Sequence, residues 1–252
     1  TLENTMSGNA FKDFSTKKVD YDDYLTLKEI VGGFISKYRL KEIGSAQLFR
    51  GSTRIYDRTL GDLDFAVELP KAEILKIVKA HPDTFQVVKV FGNTVSTLVY
   101  NPVVKQLQHV DFMTSKNVHN EDWVMTGGSE NFKGVVRNMM LCYLARVQNA
   151  KESTEGHIVK HTVAFPHGVA TKINGEQVTE RDNKPSVILH TLGLKSDNES
   201  VTVSRTYEGL LATLDDAQSH YEGFKAYCEE SYIYRKNAVI LDGALDYLKN
   251  FE

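Results

Sequence analysis

The sequence predicts a mixed α/β fold: an α/β N-terminal unit followed by a mixed, mainly helical C-terminal unit. Three observations predict it. Helix-period and strand-period stretches alternate between residues 20 and 115. Past residue 150 come short β-like pieces separated by turn residues. From Thr206 onward the apolar period is helical again. The expected division is therefore 20–150 and 151–252, within the range of two modest domains.

Residues Asp20 to Leu40 read as a helix, with Ile30, Phe34 and Tyr38 at a four-residue spacing and Val31 and Ile35 beside them. "AQLFR" (Ala46–Arg50) reads as a short strand ending at Gly51-Ser52. In "DLDFAVEL" (Asp62–Leu69), Leu63, Phe65 and Val67 alternate with the aspartates, and Pro70 stops the strand. Lys71–His81 is an amphipathic helix with Ile74, Ile77 and Val78 inward. "TFQVVKVFGNTVSTLVYN" reads as a hairpin turning at Gly92-Asn93. Lys105–Ser115 is a strand placing Leu107, His109 and Asp111 on one face and Val110 and Phe112 on the other. A long helix is expected over Ser129–Asn149. "KESTEGH" is a polar linker; Pro166-His167-Gly168, Asn174-Gly175 and Asp182–Pro185 mark turns; three helices follow Thr206.

The net charge of −3 argues against charge-driven nucleic-acid binding over the whole surface, without excluding a local basic groove. No stretch approaches a membrane span, so no membrane partner is expected. The N-terminal residues lack the apolar core of a signal peptide, so a cytoplasmic location is the expectation. Cys142 and Cys228 sit among apolar helix-like residues and read as reduced and buried.

The chemistry concentrates in "FRGSTRIYDRTLGDLDFAVEL" (Phe49–Leu69). Asp62 and Asp64 are two apart on a strand, so their carboxylates share a face. Like charges held that close are unfavourable unless a cation lies between them. Mg²⁺ takes oxygen ligands and completes its shell with waters and substrate phosphates. Upstream, Gly51 lets backbone N–H groups approach a phosphate, Ser52 adds a hydroxyl, and Arg50, Arg54 and Arg58 add charge. Asp111, flanked by apolar residues in "HVDFM", is a third carboxylate that needs a partner.

Gly51-Ser52, nine residues, Asp62-Leu63-Asp64, then Asp111 on a later strand: this pattern resembles the nucleotidyltransferase superfamily typified by DNA polymerase beta. "GGSENFKGVVRN" (Gly127–Asn138) is similar to the family-X segment T-G-S-x-x-F-N-x-x-x-R. Gly128, Ser129, Phe132 and Arg137 match; Lys133 replaces Asn and Gly127 replaces Thr. "ENFKGVVRNMML" is also similar to a helix start in nucleotidyltransferase-like proteins of bacteriophages. The resemblance covers roughly residues 25 to 140. It implies a core of a mixed sheet with flanking helices, followed by a C-terminal domain that binds nucleotide or acceptor.

The implied reaction transfers a nucleoside monophosphate from an NTP to an acceptor hydroxyl and releases pyrophosphate. Asp62, Asp64 and Asp111 would hold two Mg²⁺ (or Mn²⁺) ions. Arg50, Gly51, Ser52, Arg54, Ser129, Lys133 and Arg137 would bind the nucleotide. An RNA 3′ end is the first acceptor expected. A protein or small molecule is the alternative, as is a catalytically silent nucleotide-binding protein.

Plainer readings stand beside these. Ser52 also suits a turn, and any of the three arginines a solvated surface. Ser129 suits a helix N-cap, and Lys133 with Arg137 an exposed basic stripe. His157, His161 and His167 lack the cysteines and spacing of a compact zinc site. Tyr207, Tyr221, Tyr232 and Tyr234 suit a core at least as well as base stacking.

Overall fold

A computed structural model describes residues 10–49, 59–129 and 131–252. Its architecture is mixed α/β, with a mainly helical C-terminal region. The chain divides into two compact units, Thr1–Asp122 and Trp123–Glu252.

In the first unit, α1 (Tyr21–Phe34) starts where the Asp20 carboxylate accepts from the Asp23 N–H and Asp23 reciprocates. Its buried residues Tyr24, Leu27 and Val31 follow the helical period. The helix stops six residues short of Leu40: Ile35 is extended, Lys37–Arg39 form a 3₁₀ turn, and Leu40–Glu42 become a strand, β1. Gly32 and Gly33 weaken the helix just before that end.

The segment expected as a strand at Ala46–Arg50 is instead a 3₁₀ helix over Gly44–Phe49. Ala46 and Phe49 are three residues apart and both buried, which the three-residue period of that helix satisfies and a strand would not. After β2 (Leu63–Val67) and α2 (Lys71–Ala80) come β3 (Phe85–Phe91), β4 (Thr94–Asn101) and β5 (Gln106–Thr114). Gly92 turns the β3–β4 hairpin with φ 55°.

The five strands form one sheet in the order β1-β2-β5-β4-β3. Only β2 and β5 pair in parallel; the other neighbours are antiparallel. One face carries Leu63, Phe65, Val67, Val110 and Phe112 into a core with Leu27 and Val31 of α1 and Ile74 and Val78 of α2. On the other face, Leu98 is covered by Ala10 and Phe11.

The unit boundary falls inside α3 (Val118–Met125), well before residue 150. The long helix α4 (Gly134–Glu152) belongs to the second unit because its buried Val136, Met139, Met140 and Leu144 join a core with Ile188, Leu210, Phe224 and Leu241. That helix begins five residues later than expected.

A three-stranded sheet follows, β6 (Val159–Ala164), β7 (Gly168–Ile173) and β8 (Glu176–Gln177). Asn174 and Gly175, both at positive φ, make its second turn. Five helices complete the unit: α5 (Pro185–Thr191), α6 (Asn198–Val203), α7 (Tyr207–Ala212), α8 (Tyr221–Glu230) and α9 (Tyr232–Lys249). The last three are those expected beyond Thr206. Among the described residues no helix is long and apolar enough to cross a membrane.

Candidate metal centre

Strand geometry builds the site. In the parallel β2–β5 pair, Asp64 stands opposite Asp111. In the antiparallel β5–β4 pair, Asp111 stands opposite Ser96. Residues opposite one another in a sheet share a face, so Asp64, Asp111 and Ser96 form a row on the face away from α1 and α2. Asp62, half-buried just ahead of β2, and His109, two before Asp111, lie on that face too.

Asp111 is 1% exposed and His109 5%. His109 Nε2 lies 2.7 Å from Asp111 Oδ1. The other carboxylate oxygen, Asp111 Oδ2, is buried with no hydrogen-bond partner, as is the Ser96 hydroxyl. A buried carboxylate oxygen with no partner is unfavourable by several kcal/mol. Asp64 feels the same environment: burial, then the charges of Asp62 and Asp111, hold its carboxyl well above the usual carboxylate range. Gly44, at φ 60°, leaves room for it, since a Cβ there would lie 3.2 Å from Asp64 Oδ2.

Ligand atoms of Asp62, His109 and Asp111 all lie within 4.8 Å of one another. Around a cation with bonds of about 2.1 Å, neighbouring ligands sit about 3 Å apart and opposite ones about 4.2 Å. Small side-chain movements therefore suffice to bring these atoms onto one ion. Asp64 joins the group through its register and its charge. The three aspartates singled out in the sequence are thus brought together, and the donor set fits a divalent cation.

His109 was not among the sequence-based candidates. Its signal was present: a side chain two residues before Asp111 must share its face. Arg50, Gly51, Ser52, Arg54 and Arg58 lie outside the described residues.

Ser129, Lys133 and Arg137 belong to the second unit. Ser129 does not cap a helix; its hydroxyl oxygen accepts from the N–H groups of Asn131 and Phe132 and donates to Glu208. The N-cap of α4 is Lys133, whose side chain is exposed and makes no cap bond. Arg137 is not part of an exposed stripe. It is fully buried, its guanidinium carbon 3.9 Å from the Trp123 ring centroid, and its Nε donates to the Ser204 carbonyl at 2.8 Å. Its Nη2 has no partner, and burial, with the charge of Arg205 adding to it, pushes its pKa down to about 9.

Both ring nitrogens of His161 are engaged, by Thr171 and Glu152 at 2.7 Å each, while His157 and His167 are exposed. Tyr207 is fully buried and donates to the Ala244 carbonyl, and Tyr221 packs against the same core. The side chains of Tyr232 and Tyr234 lie outside the described set.

No protein-family model matches the chain, and no curated protein matches it either.

Proposed function

We propose that the chain is a metal-dependent nucleotidyltransferase of the polymerase beta-like kind, moving a nucleoside monophosphate from an NTP to an acceptor hydroxyl. The observation that carries this reading is the pairing of Asp64 with Asp111 across two parallel strands, with Asp62 beside them and Asp111 Oδ2 buried and unpartnered. Nothing in ordinary packing rewards gathering carboxylates this way.

Asp62, Asp64 and Asp111 would hold Mg²⁺ or Mn²⁺, which supplies charge neutralisation on the triphosphate and acidifies the attacking hydroxyl. The protein's own contribution is placement. Strand register fixes Asp64 beside Asp111. Asp111 Oδ2, which makes no hydrogen bond, would receive the acceptor's proton. In this reading Gly51, Ser52 and the neighbouring arginines would serve the phosphates; the fully buried Arg137 would not. An RNA 3′ end is the acceptor we favour, on the family-X-like segment; the chain's mild acidity favours a protein or small molecule.

The test is a transfer assay with each α-³²P-labelled NTP, total RNA and Mg²⁺ or Mn²⁺, run beside Asp62→Ala/Asp64→Ala. Label on RNA that vanishes in the variant is the expected result. Label on protein would redirect the acceptor. No label, together with no metal-dependent NTP binding, would overturn the enzymatic reading.

A further inference from the structure

The geometry points to His109 as a nitrogen ligand of this metal centre, which makes the site one for a divalent transition ion of the Mn²⁺ type in preference to Mg²⁺. The inference rests on the proposed metal-site reading and adds to it a donor outside the three carboxylates.

Three observations carry it. First, a ring nitrogen of His109 belongs to the set of ligand atoms within 4.8 Å of one another, with Asp62 and Asp111. Second, Nε2 sits 2.7 Å from Asp111 Oδ1, close to the spacing of about 3 Å between neighbouring ligands on one ion. The two atoms can therefore turn from each other onto one cation with little movement. Third, Asp111 Oδ2 is buried and without a hydrogen-bond partner, so the pair as it stands is incomplete.

The imidazole is also held still. The Phe11 ring meets it edge-on, with centroids 4.9 Å apart, and Leu98 stands opposite it on β4. A ring fixed by packing loses little freedom on ligation. The proton balance is simple. Ligation through Nε2 requires the neutral imidazole with its one proton on Nδ1; a doubly protonated ring would first give its Nε2 proton to solvent.

Metal preference follows from donor softness. Carboxylate and water suit Mg²⁺ and Mn²⁺ alike, whereas a nitrogen donor adds affinity for the first-row transition ions, a series that starts at Mn²⁺ and excludes Mg²⁺. Mg²⁺ also parts reluctantly with its waters. One nitrogen in an otherwise oxygen shell therefore tilts the site away from Mg²⁺.

The test titrates the full chain with Mn²⁺ and, separately, Mg²⁺ by calorimetry, and records pulsed electron paramagnetic resonance of the bound Mn²⁺. Wild type should show ¹⁴N hyperfine coupling. His109→Gln should abolish that coupling and weaken Mn²⁺ binding by about tenfold or more, with Mg²⁺ binding changed by less than about threefold. Should His109→Gln fail to fold, the wild-type coupling still decides, provided that Asp62→Asn/Asp64→Asn removes the bound Mn²⁺. Mn²⁺ that binds at the aspartates without ¹⁴N coupling, or equal losses for both ions in His109→Gln, would overturn the ligand role alone. Binding indifferent to Asp62→Asn/Asp64→Asn, or no binding at all, would overturn the metal-site reading itself.

Discussion

Gly127 gives way to Arg137: a Cβ at position 127 would lie 2.1 Å from Arg137 Cδ, and Gly127 already takes a positive φ of 23°. The guanidinium runs past that bare backbone to stack on Trp123. We expect Gly127→Ala to lower stability by about 2–3 kcal/mol through overpacking and backbone strain. Gly127→Ala/Arg137→Met should recover the overpacking part of that loss, because the flexible thioether chain can yield where Arg137 Cδ stands, while the strain of the positive φ remains. Urea unfolding of the single and double variants measures it. Additive losses would show that the two residues do not communicate.

Asp64 carries burial and two neighbouring charges. Without divalent ions, Asp64→Asn should therefore be more stable than wild type, by about 1–2 kcal/mol. The order should reverse with metal. An ion at a hundred times its Kd stabilises wild type by about 2.7 kcal/mol and the variant by much less. Thermal melts with EDTA and with Mn²⁺ compare the two, and a variant that gains as much as wild type from Mn²⁺ would place the ion elsewhere.

Glu121 is buried, one of its carboxylate oxygens has no hydrogen-bond partner, and burial raises its pKa to about 7, with Ser115 opposing. A folded-state pKa above the ordinary value favours the protonated form. The associated stability is fully present below about pH 4.5 and is lost as pH rises through about 7. Glu121→Gln should match wild type near pH 4.5 and exceed it by about 3 kcal/mol at pH 8. A flat difference between the two across that range would mean that the carboxylate finds a partner when it ionises.

Burial pushes the thiols of Cys142 and Cys228 up to about 11 and about 12. Both are free, and little thiolate exists at pH 8. Iodoacetamide should alkylate the native chain more than about a hundredfold slower than the urea-unfolded chain. Mass spectrometry of the quenched reaction reads this directly, and rapid native labelling of Cys228 would mean that its helix opens.

What could be read ahead of the structure was what depends on chain period. Asp62, Asp64 and Asp111 were legible because a strand alternates strictly, so each carboxylate's face followed once the apolar residues between them were assigned to the core. The α1 start, the β3–β4 turn and the Asn174-Gly175 turn were legible because local chemistry sets them. Ala46–Phe49 was not, since so short an apolar stretch shows no decisive period, and only the shared burial of Ala46 and Phe49 selects the 3₁₀ turn. Arg137 was misread because a guanidinium at a helix start is usually solvated; only Trp123 and the Ser204 carbonyl, both distant in the chain, make its burial tolerable. The domain boundary moved for a similar reason, as α4 finds its apolar partners ahead of it in the sequence. α3 went unseen: its start is set by the Asn117 side chain accepting from the His119 and Asn120 N–H groups, in a segment with little apolar period.

The parallel seam between β2 and β5 also has a kinetic side. A whole helix and a hairpin, α2 and β3–β4, lie between these strands in the chain, so the seam is among the last parts of the sheet that a growing polypeptide can close. Asp64 and Asp111 consequently do not confront each other until β5 has been synthesised and docked. A nascent chain thus carries its acidic residues apart and fully hydrated. Their mutual repulsion enters only at the final closure, the step at which a divalent cation would act as an assembly factor as much as a reagent.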